Sequence, residues 1–183
     1  LQTNPEYLQP YVDDLSSRLD RWLMATEDWE LSYILFHWLR EHQCSFALAE
    51  SCTGGLLSSQ LTRHSGASAI YKGGIVTYTS ESKIQWLGVT SKTLTEYGAV
   101  SRETALEMAT ACREKFHADL SLSVTGNLEP QDPETFAWVG IASADRQEAF
   151  RVKLYYKRLK NAEYLSNTCW YLLKRFIQNR IKD

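Results

Sequence analysis

Apolar residues along the chain recur roughly every three to four positions in some stretches and form short continuous runs in others. The first pattern predicts amphipathic helices, each with one buried stripe. The long predicted helices cover residues 1–25, 28–41, 101–116 and 161–181. Thr26 is expected to cap the second of these helices. Shorter helical pieces are predicted around Leu56, Leu57 and Leu61 and over residues 81–87 and 90–97.

The continuous apolar runs have the length of buried strands. They cover residues 45–50, 69–78, 119–124, 136–144 and 150–156, and they alternate with the predicted helices. Alternating strands and helices indicate a sheet that is covered on both faces. The last run alternates like a sheet edge, which favours a mixed sheet. The expected fold is therefore a three-layer α/β/α sandwich with a mixed sheet and an N-terminal helical extension.

The chain divides into two unequal parts in this interpretation. Residues 28–183 carry all the predicted strands and form the main domain. Residues 1–27 form a helical extension, or a linker that follows a preceding domain. The sequence begins at Leu1 rather than at methionine, which is compatible with a preceding domain. A processed or engineered terminus would also begin without methionine.

Composition and charge argue against several classes of function. The formal charge of −2 and the lack of a basic stripe with interleaved aromatics argue against nucleic-acid binding. No apolar run reaches the roughly 18 residues needed to cross a bilayer, so no membrane partner is expected. The cysteines and histidines are scattered without metal-ligand spacing, so no metal site is assigned. We expect a cytoplasmic protein with reduced thiols.

The most informative stretch lies where the first predicted strand ends and a helix begins, and it reads Ala49-Glu50-Ser51-Cys52-Thr53-Gly54-Gly55. Such a corner exposes side chains together with backbone N–H groups that have no partner within the helix. Those N–H groups can bind an anion or an oxyanion, and glycines allow a ligand to approach closely. A serine or threonine followed by glycine also forms an ordinary cap and turn, so local features alone leave both interpretations open.

Further blocks follow this corner in order: Gly74-Ile75-Val76-Thr77-Tyr78, Lys83, Leu87-Gly88-Val89 and Gly98-Ala99-Val100-Ser101. Together they resemble the C-terminal domain of competence/damage-inducible protein A, a family that includes the nicotinamide-nucleotide amidases. The resemblance is good from residue 28 to about residue 126 and weak beyond. It implies hydrolysis of the carboxamide of nicotinamide mononucleotide to nicotinate mononucleotide and ammonia, without a cofactor or metal. It also implies a small-molecule nucleotide substrate and a homo-oligomer.

The resemblance also implies which residues act. Ser51 matches the family's nucleophile position, and Lys83 is the available base because no histidine stands in a matching block. A lysine can accept a proton only if burial or nearby positive charge lowers its pKa. Tyr78, just before Lys83 along the chain, would orient the pair or donate to the substrate. Donors to the developing oxyanion are expected from Thr53, Gly54 and Gly55.

Several of these assignments have alternatives that the sequence leaves open. Thr53 could serve as a helix cap, and Tyr78 could serve as packing. Cys52 is a rival nucleophile, because a helix N-terminus lowers the pKa of a thiol. Adjacent side chains point apart, so only one of Ser51 and Cys52 should face the site, and we assign Ser51. Glu50 could fix the turn through its carboxylate or remain a solvated charge.

The chain departs from the family pattern in one loop and near the last strand. After Thr125 and Gly126, which we assign to substrate binding, the usual glycine-rich loop is replaced by Asn127-Leu128-Glu129-Pro130-Gln131-Asp132-Pro133-Glu134. Carboxylates there would repel a substrate phosphate if they faced it. Near the last strand, the family's block of an aromatic residue followed by Gly-Asp-Arg is represented at best by Tyr155-Tyr156-Lys157-Arg158. The resemblance implies that the arginine of this block holds the substrate phosphate; Lys157 and Arg158 are the candidates, and we assign Arg158. The alternative function is a catalytically idle nucleotide-binding, regulatory or oligomerisation domain of the same fold.

Overall fold

Helices and strands alternate through the computed structural model, which describes residues 5–19, 30–130 and 134–181. The helices are α1 (Pro5–Leu19), α2 (Leu31–Glu41), α3 (Leu56–Thr62), α4 (Ser80–Leu87), α5 (Ser91–Tyr97), α6 (Arg102–Lys115) and α7 (Arg158–Ile181). The strands are β1 (Phe46–Glu50), β2 (Tyr71–Val76), β3 (Leu120–Gly126), β4 (Thr135–Ala142) and β5 (Gln147–Leu154). A short 3-10 turn, Ala67–Ala69, precedes β2.

The strands form one sheet in the order β2-β1-β3-β4-β5. β1 pairs in parallel with β2 and β3, whereas the β3–β4 and β4–β5 pairs are antiparallel. The sheet is therefore mixed, as predicted. From β1 the chain passes through α3 to β2 on one side, and it then returns to β3 on the other side. Such a reversal of strand order leaves a crevice beyond the carboxyl ends of the strands.

Helices cover both faces of the sheet, which confirms the predicted three layers. One face carries α2, α3 and α7 over a large apolar core. That core includes Leu39, Phe46, Leu48, Leu57, Leu122, Val139, Trp170 and Leu173. The other face carries α4 and α6 over a smaller cluster that includes Ala47, Ala49, Leu87, Val89, Met108 and Cys112. Successive residues of β1 thus contribute to opposite layers, as the period of a strand requires.

Helix α6 lies close to the sheet because small and hydroxyl-bearing residues face it. Ser121 and Ser123 of β3 donate hydrogen bonds to the α6 carbonyl oxygens of Ala109 (2.7 Å) and Ala105 (2.5 Å). A Cβ at Gly140 of β4 would collide with the same Ala105 carbonyl. A larger side chain at that position would therefore push the helix away from the sheet.

Two boundaries differ from the predictions near the end of the chain. The last strand begins at Gln147 rather than at residue 150, because the N–H of Ser143 donates to the Arg146 carbonyl (2.8 Å) and closes a tight hairpin. Helix α7 begins at Arg158 rather than at residue 161. The predicted first helix is present as α1, whereas Thr26 lies outside the described residues.

Two classes of feature are absent from the part of the chain that the structure describes. None of its helices is both long and apolar enough to span a bilayer. Its histidine, cysteine, aspartate and glutamate side chains form no group of three or more that could hold a metal ion.

Candidate active site

The corner singled out in the sequence lies at the carboxyl edge of the parallel strands. Glu50, the last residue of β1, is level with Val76 on β2 and Val124 on β3. The backbone N–H of Ser51 donates to the Val124 carbonyl at 3.0 Å, and the N–H of Thr77 donates to the Glu50 carbonyl at 2.8 Å. Both neighbouring strands therefore fix the backbone from which the Ser51 side chain projects.

Two of the predicted catalytic side chains meet at this edge. Nζ of Lys83 lies 2.9 Å from Oγ of Ser51 and donates to the backbone carbonyl of Thr77 at 2.8 Å. Lys83 is 1% exposed and Ser51 is 5% exposed. A proton can therefore pass directly between the hydroxyl and the amine, in surroundings from which bulk water is largely excluded.

Helix α4 delivers Lys83 from a well-capped first turn. The Thr79 hydroxyl accepts from the N–H of Ser82 (3.2 Å), and the Ser82 hydroxyl accepts from the N–H of Thr79 (3.0 Å). This reciprocal pair is a capping box. The helix ends at Gly88, whose φ of 68° lies in the left-handed region that favours glycine. Both ends of the helix are thus fixed, and the lysine backbone with them.

The surroundings of Lys83 favour its uncharged form. Burial lowers the pKa of the amine from its ordinary value of 10.5, and the nearby Cys52 acts in the opposite direction in smaller measure. The two oxygens that Nζ contacts belong to a hydroxyl and a carbonyl group, neither of which is charged. The free amine is therefore available at lower pH than in an exposed lysine.

Glu50 holds the turn that follows β1. Its side chain is 0% exposed, and its carboxylate accepts five hydrogen bonds. The donors are the Thr53 hydroxyl (2.8 Å), the backbone N–H groups of Gly55 (3.0 Å), Leu57 (3.2 Å) and Ser58 (2.8 Å), and the Ser58 hydroxyl (2.6 Å). The carboxylate therefore fixes the turn, and the alternative of a solvated charge is excluded.

The three residues predicted to receive an oxyanion already have acceptors within the protein. The Thr53 hydroxyl and the Gly55 N–H donate to Glu50, and the N–H of Gly54 donates to the Ser51 carbonyl at 3.0 Å. Gly54 and Gly55 have φ values of 61° and 99°, in the left-handed region that favours glycine. The shape of the turn thus accounts for both glycines, and their role as donors to a substrate stays a prediction.

Cys52 is a poor nucleophile in this position. The residue is 9% exposed, and burial raises the pKa of its thiol to about 12. A backbone hydrogen bond lowers this pKa, as do Arg158 and, where its amine is protonated, Lys83, but each effect is smaller than that of burial. Because the thiolate is the reactive form of cysteine, little of it is present near neutrality. The geometry therefore favours Ser51, which has an amine at hydrogen-bonding distance.

Tyr78, Arg158 and Glu129 form a second group of contacts, which we call the rim cluster. Nη2 of Arg158 donates to the Tyr78 hydroxyl at 2.6 Å, and Nη1 donates to Oε1 of Glu129 at 3.2 Å. Tyr78 directly follows Thr77 and is 57% exposed. Lys157, the other candidate for the phosphate-binding cation, is also exposed. The structure thus brings Arg158 to Tyr78, and the hydroxyl of Tyr78 is engaged by this cation.

The other two residues assigned to substrate binding lie at the end of β3. Thr125 is 1% exposed, and its hydroxyl donates to the Ala99 carbonyl at 2.7 Å. Gly126 packs against Ala137 of β4, so that an added Cβ would lie only 2.5 Å from the Ala137 Cβ. Thr125 therefore ties the segment before α6 to the carboxyl edge of the sheet, and contact of either residue with substrate stays a prediction.

The two described carboxylates of the acidic loop have different partners. Glu129 pairs with Arg158 in the rim cluster. Glu134 instead pairs with Arg151 at 2.6 Å and with Lys153 at 3.3 Å, both on β5. Asp132 lies outside the described residues. Of these two carboxylates, Glu129 is therefore the one that places a negative charge in the rim cluster.

Sequence reasoning missed two contributors to the site. Thr77 is buried and its carbonyl accepts from Lys83, and within the described chain its hydroxyl has no hydrogen-bond partner. Its position directly after β2 indicates a place at the carboxyl edge of the sheet, next to the turn that follows β1. Tyr71, at the opposite end of β2, donates to the Ser58 hydroxyl at 2.8 Å and so supports the donor to Glu50. Only the folded chain reveals that contact.

Known sequences are similar to most of this chain. The family model of the CinA C-terminal domain matches residues 29–177. A CinA-like protein of Chloroherpeton thalassium is 38% identical over 175 residues, which cover 91% of this chain and 42% of that protein. A CinA-like protein of Chlorobium limicola is 42% identical over 147 residues, which cover 76% of this chain and 34% of that protein. This chain spans less than half the length of these curated relatives.

Solved structures show the same fold. The competence/damage inducible protein CihA from Agrobacterium tumefaciens is similar with a TM-score of 0.73 and 30% identity, covering 80% of this chain and 93% of that chain. The competence damage-inducible protein A (ComA) from Klebsiella pneumoniae is similar with a TM-score of 0.78 and 25% identity, covering 81% of this chain and 96% of that chain. The α/β fold of these proteins is thus shared almost throughout the solved chains.

Glu50→Ala should lower the free energy of unfolding by at least about 3 kcal/mol, because it leaves several buried donors without an acceptor. Urea denaturation measures the loss. Glu114→Ala, which removes a largely exposed carboxylate at the end of α6, serves as the matched control and should change stability by less than about 0.5 kcal/mol. Equal effects of the two substitutions would contradict the role assigned to Glu50.

Lys83→Met should remove a pH dependence of stability. Because burial depresses the pKa of Lys83 in the folded state, the unfolded chain binds more protons than the folded chain between that lowered pKa and 10.5. Stability of the unsubstituted protein should therefore rise with pH in this window relative to Lys83→Met. Denaturation curves at a series of pH values measure the difference, and a constant difference would mean that Lys83 has an ordinary pKa.

Proposed function

The chain belongs to the CinA C-terminal domain family, and from this premise we propose that it hydrolyses the carboxamide of nicotinamide mononucleotide to nicotinate mononucleotide and ammonia. The observation that carries the proposal is the distance of 2.9 Å between the buried Lys83 amine and the Ser51 hydroxyl. A serine hydroxyl needs a base to become a nucleophile, and an amine whose pKa is lowered by burial can act as that base.

In the first half of the reaction, Oγ of Ser51 attacks the carbonyl carbon of the carboxamide while its proton passes to Nζ of Lys83. The resulting ammonium then gives a proton to the amide nitrogen of the tetrahedral intermediate. The carbon–nitrogen bond breaks, ammonia leaves and an acyl ester on Ser51 remains. One side chain thus serves first as general base and then as general acid.

In the second half, a water molecule replaces ammonia as the partner of Lys83. The amine takes a proton from the water as its oxygen attacks the ester carbon. The second tetrahedral intermediate collapses when the ammonium returns its proton to Oγ of Ser51. The acid product leaves and both side chains regain their starting states. The Thr77 carbonyl, which accepts from Nζ at 2.8 Å, keeps the amine directed at Ser51 throughout.

Recognition of the substrate is assigned to the rim cluster and to the end of β3. Arg158 offers a guanidinium group, which binds a phosphate through two parallel N–H donors. The proposal is supported by the hydrogen bond from Arg158 to Tyr78, which follows Thr77, the residue whose carbonyl accepts from Lys83. Thr125, Gly126 and the turn formed by Thr53, Gly54 and Gly55 complete the proposed site. The homo-oligomeric state and the cytoplasmic location stay predictions.

A second candidate function is a catalytically idle nucleotide-binding domain of the same fold. One observation favours it: the cation assigned to the substrate phosphate already has a carboxylate partner, because Arg158 donates to Glu129 at 3.2 Å. The limited exposure of Ser51, 5%, is consistent with this alternative. The two candidates share the fold and differ in turnover.

Ser51→Ala and Lys83→Met should each lower the rate of ammonia release from nicotinamide mononucleotide by about 10²- to 10⁴-fold, because each removes one member of the proton-transfer pair. Lys72→Met, which removes an exposed lysine of β2, provides the control. An unsubstituted protein no faster than Ser51→Ala would end the enzyme proposal. Binding of nicotinate mononucleotide without turnover would then support the idle domain.

The value of kcat/KM should increase with pH through an ionisation that lies below 10.5, the ordinary pKa of lysine. The increase follows the fraction of Lys83 that is uncharged in the free enzyme, because only that form accepts the serine proton. A pH–rate profile over the range in which the protein remains folded provides the measurement. Activity that falls with rising pH across this range would exclude an amine as the base.

A further inference from the structure

Arg158 connects Tyr78 to the loop in which this chain departs from its family's pattern. One side of the guanidinium group donates to the hydroxyl of Tyr78 at 2.6 Å. The other side donates to the carboxylate of Glu129 at 3.2 Å. A carboxylate and a phosphate compete for Arg158, because both anions accept hydrogen bonds from the same N–H groups of a guanidinium.

The backbone around Glu129 is held so that its side chain stays within reach of Arg158. The Glu129 N–H donates to the Asn127 side chain at 3.0 Å, and the Thr135 hydroxyl donates to the Glu129 carbonyl at 3.3 Å. The preceding residue, Leu128, is buried, and its carbonyl accepts from Asn161 of α7 at 2.9 Å. The loop is thus fastened to the same helix that begins with Arg158.

The ion pair itself is open to solvent. The side chain of Arg158 is 43% exposed and that of Glu129 is 56% exposed. Exposed pairs contribute little to the stability of a fold, so an incoming anion can replace Glu129 on the guanidinium without unfolding the loop. The displaced carboxylate would nevertheless remain beside that anion, since its backbone is fixed. The negative charges of Glu129 and of the bound anion would then repel each other.

We propose that Glu129 is a specificity-determining residue that competes with the phosphate of a substrate for Arg158. The proposal rests on the proposed amidase function and deepens it. A carboxamide nucleotide must both displace Glu129 and approach its charge, whereas the corresponding nucleoside, which lacks the phosphate, does neither. Glu129 therefore shifts the preference of the site towards the nucleoside without a phosphate, as a repulsive element against one class of ligand does in general.

The same loop supplies a matched control. Glu134 is also an acidic residue of this loop with basic partners, but those partners, Arg151 and Lys153, lie on β5. Glu129→Gln and Glu134→Gln remove the same charge and keep nearly the same shape. A general effect of the charge of the loop would appear in both variants, whereas competition for Arg158 would appear only in the first.

The experiment compares kcat/KM for nicotinamide mononucleotide with kcat/KM for nicotinamide riboside. Glu129→Gln should raise the ratio of the two values by about tenfold, mainly through a lower KM for the mononucleotide. Glu134→Gln should leave the ratio unchanged. In the double variant Glu129→Gln/Arg158→Gln the increase should disappear, because the contested cation is gone. An unchanged ratio in Glu129→Gln would overturn the proposal, and so would an equal increase in both single variants.

A binding measurement separates failure of this proposal from failure of the amidase function. Nicotinate mononucleotide and nicotinate riboside, which have no carboxamide to hydrolyse, are titrated calorimetrically into the unsubstituted protein and the same variants. Tighter binding of the mononucleotide alone to Glu129→Gln supports the proposal even where no variant releases ammonia. Equal affinities of the unsubstituted protein and Glu129→Gln for the mononucleotide refute it, whether or not the protein proves to be an amidase.

Discussion

The site depends on a carboxylate that is removed from water and surrounded by hydrogen-bond donors. Glu50 is fully buried, and the donors that reach it in the described structure are hydroxyl and backbone N–H groups. A buried charge is costly unless such groups replace the lost water. The turn from Thr53 to Ser58 must therefore close around this carboxylate when the chain folds. Because Ser51 follows β1 at the start of the same turn, the requirement that folds the corner also fixes the position of the proposed nucleophile.

Lys83 is the opposite case, a buried ionisable group whose charged form is poorly compensated. Its amine contacts the Ser51 hydroxyl and the Thr77 carbonyl, and burial lowers its pKa. A methionine would fill similar space without that electrostatic cost. Buried lysines with lowered pKa values are typical of functional sites, because an uncharged amine is what proton transfer requires. The fold thus surrounds the buried carboxylate with donors, whereas it gives the buried amine only uncharged acceptors and so favours the uncharged form that proton transfer requires.

The sequence predicted the alternation of strands and helices because the core residues of each element keep a simple period. Ser51 and Lys83 were identified through the resemblance of ordered blocks, and the structure places them in contact. The sequence leaves the role of Glu50 open, because a carboxylate beside glycines is compatible with both solvent exposure and burial until the turn closes. The link from Arg158 to Tyr78 joins residues 80 positions apart, and no local pattern indicates such a contact. The sequence predicts that Thr53, Gly54 and Gly55 donate to an oxyanion, whereas in the structure these donors are bonded to Glu50 and to the Ser51 carbonyl. Acceptors within the protein are not visible in a sequence, so they cannot be compared there with a substrate.

The proposed chemistry and the proposed recognition use separate parts of the chain. The turn after β1, the end of β2 and helix α4 supply Ser51, Lys83 and their supports, all before the middle of the sequence. The proposed anion-binding group, Arg158, comes from the beginning of α7, and its proposed competitor, Glu129, comes from the loop between β3 and β4. Substitutions in that loop can therefore alter which ligands bind without moving Ser51 relative to Lys83. The departures from the family pattern fall in this second part. The proposed choice between an active and an idle domain consequently depends on the charge balance around Arg158 and on the access of a ligand to Ser51, because the Ser51 hydroxyl and the Lys83 amine already lie within hydrogen-bonding distance.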